Sequence, residues 1–259
     1  MSILQNMSLK FVSRSELQDR EWDNQTEKWD RPDIDRETLR RLNQRSTFEG
    51  MMRLIVHTAC LAAAAWLAIY AAGYHLLLAL VPYLLYVFLV GFPNGIEHEM
   101  RHRIVYSRRL NWFSDVVYFL IHVLWKAGSR NQRVSHVIHH RYTMVRDVDP
   151  EPAFPEAITV RWVRNELLRF LATVLSLGIP SFFKALWGLI HRTRGRLNPM
   201  IQAQCSARDL RFIRRESFAI LLINVAALVS FVWWQRWDLI MLFILGPKVG
   251  NAIAAFWHR

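Results

Sequence analysis

The sequence predicts an all-α membrane protein: four transmembrane helices set as two hairpins, interfacial helices, and a cytoplasmic histidine-box region between the hairpins. Three observations lead there. Residues 54–96 form a run of 43 with no Asp, Glu, Lys or Arg, long enough for two spans of about 20 residues each. Residues 217–235 form a second charge-free run of 19, and residues 239–258 a run of 20 broken only by Lys248. The net charge of +12 is distributed unevenly: residues 1–50 hold 9 Lys and Arg and residues 94–216 hold 20, whereas the short turns near 73–75 and 236–238 hold only Arg236. The positive-inside rule then places the N-terminus and the central region in the cytoplasm.

Residues 1–50 are polar, lack the early apolar core of a signal peptide, and read as a cytoplasmic lead-in. Asp33-Ile34-Asp35-Arg36-Glu37 has the acidic first turn of a helix that continues through Leu42. Residues 51–259 read as one membrane domain with spans near 54–72, 76–93, 217–235 and 239–258. Gly73-Tyr74-His75 supplies a turn inside the first hairpin. Pro93-Asn94-Gly95 argues for a break where the second span leaves the membrane, although one continuous helix could also run on through His98 and His102. Residues 112–125 and 170–183 are apolar but short, and are expected to lie on the membrane surface. A further true span near 167–190 is the alternative, and it would invert the second hairpin. Trp233, Trp234 and Trp237 around the second turn resemble an aromatic belt. Lys248 either snorkels or faces a polar site within the bundle. Cys60 and Cys205 are not expected to pair. The basic charge is unaccompanied by any nucleic-acid-binding motif, and anionic lipid headgroups account for it.

The chemistry is concentrated in two histidine clusters, His98-Glu99-Met100-Arg101-His102 and His136-Val137-Ile138-His139-His140. Residues four apart share a helix face, so His98 pairs with His102 and His136 with His140, with His139 beside them. Imidazole is the commonest protein ligand for iron, zinc and copper. Five imidazoles beside a membrane therefore suggest a metal centre at the bilayer surface. Read alone, the first cluster is also an H-E-x-x-H zinc-protease motif, in which Glu99 would activate water. That reading leaves His136, His139 and His140 without a role. A membrane relative that binds partners but no metal is the third possibility.

These boxes, followed by Arg141-Tyr142-Thr143 and Asp147-Val148-Asp149-Pro150-Glu151, resemble the membrane fatty acid desaturase and hydroxylase superfamily. The lead-in Thr38-Leu39-Arg40-Arg41-Leu42-Asn43-Gln44-Arg45-Ser46 is similar to bacterial-type members, and the likeness extends over roughly residues 35–259. The resemblance implies a di-iron (Fe) centre held by His98, His102, His136, His139 and His140, and dioxygen-dependent desaturation of a lipid or acyl substrate at the cytoplasmic face, a bacterial inner membrane being the favoured location. It implies an external electron donor, ferredoxin-like or a cytochrome, since the chain carries no flavin, nicotinamide or iron–sulfur motif. The family carries a third H-x-x-H-H box beyond the last span. The sequence ends at Arg259 before such a segment, and the expectation is a chain truncated ahead of that box, its five histidines an incomplete di-iron site and its activity incomplete as given, with Asn251 and His258 as further candidate ligands or supports.

Overall fold

The computed structural model describes residues 34–92, 94–143, 145, 148–151 and 158–257. All regular structure among the described residues is helical. The lead-in helix α1 (Arg36–Leu42) starts at Asp35, whose carboxylate accepts from the Thr38 N–H at 2.8 Å. Ser46 caps α2 (Thr47–Ala72) in the same way. His75 caps α3 (Leu76–Gly91), its Nδ1 accepting from the Leu77 N–H. α3 stops before Pro93, and a separate short helix, α4 (Asn94–Arg101), succeeds it.

The first apolar stretch expected at the membrane surface lies in α5 (Asn111–Trp125), and α6 (Ser129–Arg141) carries the second histidine cluster. The apolar stretch at 170–183 is divided between α7 (Val160–Leu175) and α8 (Ile179–Thr193), which meet at 98°. Gly178 makes that bend possible with φ +75°, where a Cβ would lie 2.9 Å from the Lys248 side chain. After α9 (Pro199–Gln204), α10 (Ala207–Trp233) opens on a capping box between Ser206 and Asp209. The last span is compound: α11 (Trp237–Leu239), a π-helical segment (Ile240–Leu245) and α12 (Gly246–Trp257).

Four helical stretches are long and apolar enough to cross a membrane, or five if the bent pair α7–α8 is one span. Their outer surfaces bear exposed Trp66, Leu67, Leu77, Leu84, Phe88, Leu222 and Val229, an apolar exterior suited to lipid and not to water. α2 packs along α3, α3 along α12, and α8 along α10. Ala64, Tyr86, Val87, Val90, Leu242 and Val249 form the core where α2, α3 and the last span meet.

Two structural features explain Lys248. The π segment has three successive carbonyls that receive side-chain donors: Tyr83 Oη to Met241 at 3.4 Å, Tyr86 Oη to Leu242 at 2.7 Å, and Lys126 Nζ to Phe243 at 2.7 Å. α5, meanwhile, ends inside the bundle, where its last carbonyls cannot reach water. Asn224 donates to the Val123 carbonyl, Lys126 to Leu124, and Lys248 to Trp125. Both lysines are buried, and each amine donates to a carbonyl at the end of α5. Lys248 therefore faces the interior and does not snorkel. Lys248→Met leaves the Trp125 carbonyl without its donor, and is expected to cost about 1–3 kcal/mol. A lowered melting temperature in detergent checks this; an unchanged one would show that the cap contributes nothing.

Candidate metal centre

The second-cluster helix is fixed from three sides. Its N-terminus begins after Gly128, which has no side chain to cap it. Glu216 of α10 takes that role, accepting from the Ser129 hydroxyl and from the Arg130 N–H at 2.9 Å. Arg130 reaches Asp209 at 2.6 Å. One turn on, Arg133 pairs with Asp115 of α5 at 2.6 Å, donates to the Met100 carbonyl and lies over the Tyr118 ring. α4 is held by burial of Met100 against Val105, Tyr106 and Tyr118. These anchors bring the two clusters face to face.

His102, just past the end of α4, and His136 and His140 of α6 converge through Nε2 atoms that are 3.0–3.1 Å apart, pair by pair. His98 completes the group, and the four ligand atoms lie within 4.8 Å of one another. Two nitrogens bound at about 2.0–2.1 Å to one first-row ion stand about 2.9–3.4 Å apart, so this donor set fits a metal. Three neutral imidazoles gain little from pointing ring nitrogens at each other without one. His136 is buried while the other three are exposed, so the centre opens to one side.

Carboxylates stand behind the rings. Glu151 lies 3.1 Å from His136 Nδ1, and Asp149 lies 2.7 Å from His139 Nδ1. A ring that donates Nδ1–H to a carboxylate presents its Nε2 lone pair outward, the arrangement that tunes metal-binding histidines. Arg101 ties the supports together, reaching Glu97 at 2.6 Å and Glu151 at 3.1 Å. Burial, followed by the neighbouring imidazole His136, holds the His102 and His140 pKa values below the ordinary range, favouring the neutral ligand form. For Glu151, burial pushes upward, but the hydrogen bond from His136 and the Arg101 charge outweigh it and hold the carboxyl below its usual value.

The structure distributes the five sequence-selected histidines unequally. His139 lies outside the group of four whose ligand atoms converge, and its Nδ1 stands 2.7 Å from Asp149. Asn251 sits half-buried on α12, and the four imidazoles converge without it. His258 lies outside the described residues. Glu99 turns away and pairs with Arg53 of α2 at 3.6 Å, which is not the position of a water-activating glutamate beside the ion. Sequence reasoning missed Glu97, a fully buried carboxylate, and His122, whose buried Nε2 lies 3.6 Å from it. His122 had one signal, a polar residue inside an apolar run, whereas Glu97, within the polar segment Asn94–Arg101, had none.

An all-α bundle with helices of membrane-crossing length and four converging histidines that could hold a metal ion is the class of protein that fold and site define. Comparison narrows the class: a family profile described as "Fatty acid desaturase" matches residues 76–258. The chain belongs to that family. Comparison with curated proteins and with solved structures gives no match.

Proposed function

We propose that the protein is a di-iron, dioxygen-dependent oxidoreductase that desaturates an acyl chain at the cytoplasmic face of a membrane. The observation that carries this reading is the convergence of three Nε2 atoms at 3.0–3.1 Å, with Glu151 behind one of the rings. His98, His102, His136 and His140 would hold one ion, and His139, oriented by Asp149, belongs to the second. The ions, when bound, supply the oxidant that an unactivated C–H bond requires and that acid–base groups cannot. The protein's own contribution is positioning. Arg101 fixes Glu151, Glu151 fixes the His136 tautomer, and the Glu216 and Asp115 contacts hold α6 at a set distance from α4.

Residues 1–50 serve as the cytoplasmic lead-in, and residues 51–259 form the membrane domain. The basic surface of the central region suits docking of an acidic external electron donor, ferredoxin-like or a cytochrome. The deciding experiment expresses the full chain in membranes, measures bound iron and zinc, and assays unsaturated acyl products with a supplied donor. Iron with new double bonds is the expected result. Zinc with peptide cleavage would establish the H-E-x-x-H protease instead, and absence of any metal would make the chain a non-catalytic relative.

A further inference from the structure

α5 and the start of α10 run in the same direction and enclose a groove of about 620 Å³, with Ser129, Arg130 and Arg133 of α6 as its third wall. Beyond the groove the two helices are tied together, where Asn224 donates to the Val123 carbonyl at 3.0 Å. Neither Glu151 nor any of the four converging histidines lines this space.

The groove combines two chemistries. Its polar part is charged but not balanced. Asp115 is taken by Arg103 at 2.8 Å and Arg133 at 2.6 Å, and Asp209 by Arg130 at 2.6 Å and the Ser206 hydroxyl at 2.7 Å. Glu216 is taken by the N-terminus of α6. Arg208 is exposed and pairs with no carboxylate among the described residues. Four guanidiniums thus line the groove against three carboxylates, leaving one positive charge. A monoanion closes that balance, and a phosphodiester offers oxygens that match a guanidinium fork. An ammonium group would find every carboxylate already engaged.

The second chemistry is apolar. Val116 and Phe212 line the groove and are exposed. Leu120, one turn beyond Val116, and Ile223, three turns beyond Phe212, extend the same helix stripes and are exposed too. An apolar track therefore leads from the charged groove to the charge-free part of α10, which begins at Ser217. A soluble anion would leave this track bare. A phospholipid covers it: the headgroup and glycerol occupy the groove, and the acyl chains lie along the exposed stripes.

We propose that this groove binds an anionic phospholipid, with Arg208 at its phosphate and Val116 and Phe212 against its chains. The lipid is a brace and not the oxidised chain. α5 and α10 hold α6 through the Asp115–Arg133 and Glu216–Ser129 contacts, and a lipid seated between them steadies that frame. The inference stands independently of the acyl-oxidoreductase reading.

The full chain, purified in detergent and stripped of lipid, is titrated with phosphatidylglycerol, with phosphatidylcholine of the same chains, and with glycerol 3-phosphate. Native mass spectrometry counts the bound molecules, and the melting temperature reports the brace. Phosphatidylglycerol is expected to bind about tenfold or more tightly than either other probe and to raise the melting temperature. Arg208→Glu and Phe212→Ser are each expected to weaken it about fivefold or more. Arg211→Glu, an exposed change on the same helix outside the groove, should leave it unmoved. All three positions are exposed, so folding is not at stake. Equal loss in Arg208→Glu and Arg211→Glu would mean diffuse attraction to surface charge and would overturn the site. Equal binding of phosphatidylcholine would remove the charge argument, and equal binding of glycerol 3-phosphate would remove the lipid. Bound phosphatidylglycerol that gains double bonds during turnover would make it substrate and overturn the bracing role.

Discussion

His136→Ala is expected to leave the candidate centre unable to hold metal and to abolish the proposed oxidation of an acyl chain, while the bundle still folds. His136 is the buried member of the four and stands 3.0–3.1 Å from both His140 and His102, so its loss breaks two sides of the Nε2 triangle at once. It also leaves Glu151 and Arg101 aimed at an empty position. The adjacent support predicts a graded response. Glu151→Gln keeps the ring but weakens its anchor, and changes of this kind cost about 10–100-fold in metal affinity. Metal per protein, measured on both variants beside the wild type, is the readout. Full iron content in His136→Ala would show that this ring is not a ligand. Equal losses in both variants would mean that Glu151 binds metal itself.

The four spans and both histidine clusters were legible because they depend on local pattern: apolar runs of membrane length, and imidazoles at helical spacing. Span limits were less legible. α2 begins at Thr47 and α10 at Ala207, well before the charge-free runs at 54 and 217, because Ser46 and Ser206 start helices whose first turns are charged. α3 ends at Gly91 and α4 begins at Asn94, while Pro93 itself lies outside the described residues and the two helices together form one span-length stretch. The supports of the site were illegible for a different reason. Glu151 reaches His136 from a loop 15 residues away, and Glu216 caps α6 from 86 residues away. No periodicity encodes such contacts. Lys248 stood out as a charge in an apolar run, but its role depends on α5 ending inside the bundle, which only the packing reveals.

Gly250→Val is expected to destabilise the bundle severely. α3 and the last span approach so closely at Gly91 and Gly250 that a Cβ on Gly250 would lie 2.5 Å from the Val87 carbonyl oxygen and 2.8 Å from the Gly91 nitrogen. These are backbone atoms, with no rotamer into which they can move aside. The helices must separate, as expected where small residues set the spacing of membrane helices. Separation opens the core formed by Tyr86, Val87, Val90, Leu242 and Val249, and strains the Tyr86–Leu242 hydrogen bond. It also draws Lys248, two residues from Gly250, away from the end of α5. Overpacking of an ordinary core costs about 1–3 kcal/mol, and a backbone clash belongs at or above the top of that range. Gly250→Ala should be milder than Gly250→Val, because the displacement grows with the side chain. Yield of monodisperse protein in detergent and its melting temperature should fall in that order. A wild-type melt for Gly250→Val would mean that the crossing is looser, and that the last span is held to α3 mainly by the tyrosine and lysine hydrogen bonds.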